Sequence, residues 1–309
     1  MRNNLIVNKK RKGITLLDNI VYSTILDSDG NPQELCLSLM MQHGNVESRM
    51  ANGLNPHEIA DEEKKPVILW LPGGGYRGSD KNLTVPEMTY LSDHGFCVAF
   101  VYYRGSSQGV FPAQIIDVQS AIRFLRVNAD KFGLLTDKIG IMGRSAGGHL
   151  AALAGMNIEY GEITENKGVS SYVQAACDWF GPVDMPAMFD KEIKAIEENP
   201  NYRWKNLSET HPGALIGGDM VDVKERSISA SPPYLINKET CPMLIMHGTV
   251  DRHVPCEVSS AFYDKLVEFG LEDQTEYYEI EGANHGSDEF FQSEVQDIVV
   301  DFFKRYLMC

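Results

Sequence analysis

The chain has 309 residues, 43% of them hydrophobic and 23% charged, with a formal net charge of -15. Such a composition belongs to a globular protein that can bury a large core without disulfide staples. The acidic excess repels nucleic acid, anionic membrane surfaces and polyanionic substrates at long range, so a neutral small molecule fits best as partner.

Near the amino terminus a basic run, Lys9 to Lys12, follows only Leu5-Ile6-Val7. Three apolar residues are too few for the hydrophobic region of a secretion signal, and the run reads as a solvated arm. No stretch approaches the roughly 18 apolar residues of a membrane helix. The cysteines at 36, 97, 177, 241, 256 and 309 show neither CxxC nor zinc spacing. Several lie in apolar runs, which predicts buried reduced thiols and a cytoplasmic protein with no metal or cofactor.

Residues 14–41 predict a β-rich entry: ITLLDNIVYSTIL, a turn from Asp27 to Pro32, then the alternating ELCLSLMM. Residues 42–65 are polar and predict a loop or irregular insertion. Strands and helices alternate from there. Val67 to Leu71, Phe96 to Tyr103, Lys138 to Met142, Tyr172 to Phe180, Pro242 to His247 and Thr275 to Ile280 read as strands. Ala113 to Phe132, Ala146 to Ala154, Val258 to Phe269 and Glu289 to Leu307 read as helices. This order predicts one α/β domain over 1–309, its mostly parallel central sheet covered by helices on both faces. The stretch 185–235 breaks the rhythm and predicts a cap-like insertion.

Gly143-Arg144-Ser145-Ala146-Gly147 matches G-x-S-x-G between a strand and a helix. A serine there stands on a sharp turn with its hydroxyl projecting above the sheet, and small flanking residues relieve the crowding. Serine is a weak nucleophile, so it needs a base and a group that orients the base. His285, in EGANHG just past the last strand, fits the base. Asp251, in HGTVDRHVP after the strand PMLIM, fits the acid and is preferred to Asp184 or Asp178 by chain order and strand-end position. His247 and His253 read as structural or pocket-lining, and His149 as packed on its helix. In Leu71-Pro72-Gly73-Gly74-Gly75-Tyr76, backbone amides free of side chains suit an oxyanion. Gly74, Gly75 and Ala146 are the expected donors, and Tyr76 is an expected substrate contact. Arg144 reads either as a pocket cation touching substrate or as a helix-start residue paired with a carboxylate.

The set PGGGY, FPAQIIDVQSAIRFLR, GRSAGGHLAAL, HGTVDRHVP and GANHG resembles the carboxylesterase branch of the α/β-hydrolases related to hormone-sensitive lipase. It is most similar to small bacterial acetyl esterases and acetyl-xylan or feruloyl-type esterases. Pro72 stands where many relatives carry a histidine. The resemblance implies the α/β-hydrolase fold and a cofactor-free serine esterase acting on small acyl esters, acetate on a sugar among them. An amidase or formamidase is the rival enzyme, and a catalytically silent binding protein of the same fold is the rival class.

Overall fold

The apolar runs pair into one eight-stranded sheet among the described residues, in the order β1-β2-β4-β3-β5-β6-β7-β8. The strands are β1 (Ile14–Leu26), β2 (Pro32–Gln42), β3 (Lys65–Leu71), β4 (Cys97–Val101), β5 (Leu134–Arg144), β6 (Ala175–Trp179), β7 (Met243–Gly248) and β8 (Thr275–Ile280). A computed structural model of the chain describes residues 3–6, 13–26, 30–42, 64–78, 80–161, 165–218 and 224–308. The basic run Lys9 to Lys12, the turn residues Asp27 to Asp29, most of the polar 42–65 segment and Cys309 lie outside the described residues. β1 and β2 pair antiparallel, β2 joins β4 antiparallel, and every later pairing is parallel.

Alternate side chains of the inner strands enter two different cores. Val67, Leu69 and Leu71 of β3 join one apolar cluster, while Ile68 and Trp70 join the other. On β7, Met243 and Ile245 face one side, and Leu244 and Met246 the other. That two-residue period explains why these strands read as unbroken apolar runs, since both faces are covered. One face is closed by α2 (Ala113–Val127), α4 (Ala146–Gly155) and α8 (Cys256–Glu268); α1 (Thr89–Asp93) and α9 (Ser293–Leu307) close the other.

Three elements differ from the sequence reading. The helix expected over 113–132 stops at Asn128, whose side-chain amide donates to the Phe124 carbonyl, and α3 (Ala129–Phe132) resumes beyond it. Such local bonds compete with helix continuation. The last helix is preceded by a 3-10 turn over Asp288–Phe291, with extended Gln292 between them. The five-residue α1 has too few positions to show a period. The insertion contains α5 (Met185–Glu198), α6 (His211–Ile216) and α7 (Lys224–Ser229).

Candidate active site

The strands β3, β5, β7 and β8 all run parallel, so the loops that follow them meet at one edge of the sheet. The turn after β5 places Ser145 at φ 54° and ψ -123°, immediately before α4. This backbone is strained for a side chain, and its neighbours permit it by being small. A Cβ on Gly143 would collide with the Gly147 carbonyl, and one on Gly147 with the Leu71 carbonyl. The Ser145 amide donates to the Trp179 carbonyl at 2.9 Å, which ties the turn to β6.

The loop after β8 brings His285 Nε2 to 2.9 Å from Ser145 Oγ. Its Nδ1 lies 2.6 Å from Asp251 Oδ2, and Asp251 comes from the loop after β7. The other carboxylate oxygen accepts from the amides of His253 and Val254 at 2.7 and 2.9 Å. The Asp251 side chain is buried, which by itself would raise its pKa. Hydrogen bonds from His247 and His285 outweigh that burial and hold the carboxyl well below the usual range. Because the carboxylate only accepts, His285 Nδ1 carries the proton and Nε2 is left to accept from the serine hydroxyl.

His247 stands behind the acid. Its Nε2 lies 3.0 Å from the Val254 carbonyl and 3.3 Å from Asp251 Oδ2, both acceptors, so Nε2–H is the donor and Nδ1 accepts from Ser259 Oγ at 2.7 Å. Phe180, at φ 45°, sets its ring 4.7 Å from the His285 ring centroid. Sequence reasoning did not single out Phe180, because its packing partner lies 105 positions later in the chain. His149 is buried as expected, between the Tyr76 hydroxyl and the Ala230 carbonyl, and burial presses its pKa down to about 4.

The rival acids are otherwise engaged. Asp184 caps α5, accepting from the Ala187 amide at 3.1 Å. Asp178 is buried, accepts one bond from the Gly181 amide, and leaves Oδ2 without a partner among the described residues. Burial pushes its pKa up to about 7, against the nearby His247 and the Gly181 bond. Asp178 therefore holds its proton in the fold from about pH 4 to 7, whereas the unfolded chain releases it, so stability falls as pH rises through that window. Asp178→Asn is expected to raise the Tm more at about pH 8 than at about pH 5. Thermal melts at both values check this, and an equal gain at both would contradict it.

After β3, Gly74 and Gly75 turn at φ 148° and 58° beside Ser145. Among the described residues no turn or loop bond uses their amides as donors, and the Ala146 amide is free as the first of its helix. His211 of the insertion sits over this loop, its Nδ1 3.1 Å from the Gly75 carbonyl and its Nε2 2.9 Å from an Arg203 nitrogen. The arginine can only donate, so His211 is neutral with its proton on Nδ1. A Cβ on Gly75 would strike the His211 ring. Gly75→Ala is expected to displace an oxyanion amide and cost about 10²–10³ in kcat, read by steady-state kinetics. A variant within a few-fold of wild type would remove Gly75 from that role.

Tyr76 borders the cavity, but its hydroxyl is committed to His149, 2.8 Å away. Arg144 also lines the cavity. Burial works against its charge and the Glu87 carboxylate favours it, with no ion pair between them within 4.0 Å. The cavity holds about 780 Å³ and takes Met185, Met188 and His211 from the insertion. No group of three or more His, Cys, Asp or Glu among the described residues is placed to hold a metal. No described helix is long and apolar enough to cross a membrane.

The chain is 28% identical to esterase LipC of Mycobacterium tuberculosis over 258 residues, covering 78% of this chain and 59% of that protein. Across three such relatives it spans between 44% and 59% of their length. A truncated carbohydrate esterase from gut microbiota superposes with a TM-score of 0.75 and 25% identity over 96% of this chain and 97% of that one. A bifunctional GH43-CE protein of Bacteroides eggerthii superposes at 0.73 with 28% identity, over 94% of this chain and 35% of that one. The BD-FAE family model matches residues 56–266. With its sheet order and its strand-turn-helix serine, the chain has the α/β-hydrolase fold and belongs to the BD-FAE family.

Proposed function

We propose that the protein is a cofactor-free serine carboxylesterase that hydrolyses small acyl esters, acetyl esters of carbohydrates foremost, within a single domain. The observation that carries this reading is the continuous chain of bonds from Asp251 through His285 to Ser145. Ser145 Oγ attacks the ester carbonyl while His285 Nε2 takes its proton. The tetrahedral oxyanion lies against the Gly74, Gly75 and Ala146 amides, and Asp251 stabilises the imidazolium. Collapse passes the proton from His285 to the leaving alcohol and leaves an acyl-serine. Water, activated by the same histidine, then releases the acid. The named esterases among its relatives support the reaction class, and the carbohydrate esterases of matching fold support a sugar as the alcohol. The free thiols of Cys97, Cys177 and Cys241 support a reducing, cytoplasmic setting.

The test is kcat/KM across acetyl, butyryl, octanoyl and feruloyl esters of one alcohol. Each methylene in an apolar pocket changes discrimination by only about 1–3 kcal/mol, so the expected profile falls in steps from a short-chain optimum. An optimum at octanoyl would overturn the small-acyl reading, and one at feruloyl would move the substrate to phenolic esters. Faster turnover of the matching amides would make the protein an amidase.

A further inference from the structure

The cavity reverses the charge of the molecule that contains it. Although the chain carries a net -15, the cavity that holds His285 is lined by Lys191, Arg203, Arg252 and His253. In the reaction proposed above, His285 hands its proton to the departing alcohol, so groups around it flank the alcohol half of the ester. The His253 ring stands 5.2 Å from the His285 ring. Lys191 Nζ donates to the His253 carbonyl at 2.8 Å, and Arg252 is fixed by its amide to Asn284 Oδ1, which also accepts from the His285 amide. Lys191, Arg252 and His253 thus come from elements beside His285, and Arg203 lines the same cavity where it meets His211.

Little negative charge answers them. Glu192 lies 3.3 Å from Lys191 and also accepts from the Tyr202 hydroxyl at 2.8 Å, so that carboxylate is spent. Asp251 is held inside the triad. Asp80 belongs to the oxyanion-loop side, where it accepts from the Asn82 amide. Arg203 donates to neutral His211 and stacks on Trp204 at 4.2 Å, neither of which cancels its charge. The exposed Arg252 side chain has no partner among the described residues. The surplus is felt locally: burial lowers the pKa of His253, and the charges of Lys191 and Arg203 lower it further against Asp251.

We infer that the alcohol half of the substrate carries a carboxylate, making the preferred substrates acyl esters of hydroxy acids such as uronic sugars. Guanidinium groups bind carboxylates through paired, charge-assisted hydrogen bonds. A positive cleft in an acidic molecule also focuses the field on the ligand that enters it. The inference rests on the esterase reading, because only there does the His285 side become the alcohol side.

The experiment compares kcat/KM for O-acetyl glucuronic acid, its neutral uronamide and O-acetyl glucose, with 4-nitrophenyl acetate as a reference. The uronate is expected to exceed the uronamide about tenfold or more at low ionic strength, with the ratio shrinking as salt is added. Arg252→Gln and Arg203→Gln are each expected to reduce the uronate-to-uronamide ratio several-fold, and the pair to bring it close to one. The ratio cancels any general loss of activity in a variant. Hydrolysis of 4-nitrophenyl acetate with no preference for the uronate overturns this inference and leaves the esterase reading standing. Hydrolysis of none of the esters overturns both. A sugar phosphate acetate that outruns the uronate overturns the carboxylate assignment.

Discussion

Ser145→Ala is expected to lower kcat by about 10⁶ and to abolish covalent labelling by a fluorophosphonate probe. The size follows from the single bonded chain Asp251–His285–Ser145, in which no neighbour can take over the attack. The remaining rate comes from the Gly74, Gly75 and Ala146 amides and from binding, which survive the change. Because the members act as a unit, Ser145→Ala combined with His285→Ala is expected to cost scarcely more than either alone. The removed hydroxyl makes no described bond besides the one it donates to His285, so the Tm is expected to stay near that of wild type. A probe that labels another serine, or a variant that keeps wild-type turnover, would refute the assignment.

The second large effect is at the acid. In Asp251→Asn the side chain keeps its size, and one oxygen can still accept from the His253 and Val254 amides. The atom facing His285 Nδ1 then becomes an amide nitrogen, which donates where the carboxylate accepted. The imidazole flips its tautomer and presents Nε2–H to Ser145, so it can no longer take the serine proton. A loss of about 10⁴ in kcat is expected. Asp184→Asn is expected to leave turnover near wild type, because asparagine caps a helix about as well as aspartate. Steady-state kinetics of the two variants decide between the acids, and the reverse ranking would place the acid at Asp184.

Much of the fold was legible because its cause is local. Val67 to Leu71 and Met243 to Met246 are apolar throughout, as a strand covered on both faces demands. The turn around Ser145 was legible because steric crowding permits few residues there. Asn128, which ends α2, was read as one more helical position, since its bond to Phe124 competes with a strong apolar period. His211 and Phe180 gave no signal at all. Their importance lies in what they touch, Gly75 in one case and His285 in the other, and no spacing rule connects those positions. Net charge was legible only as a sum. The concentration of Arg203, Arg252 and Lys191 in the wall of one cavity depends on the folding of the insertion against the loop after β7.

Trp204 gives that wall an optical readout. The chain has three tryptophans, and Trp70 and Trp179 are sealed in the core at 0% exposure. Trp204 instead lies among Arg203 at 4.2 Å, Arg77 at 5.2 Å and the His211 ring at 5.7 Å. Guanidinium groups over an indole face shift the energy of its excited state, so a ligand that draws Arg203 away changes the emission of this indole and leaves the other two untouched. Titration followed at the tryptophan band therefore measures occupancy of the cavity without turnover, and Trp204→Phe supplies the blank.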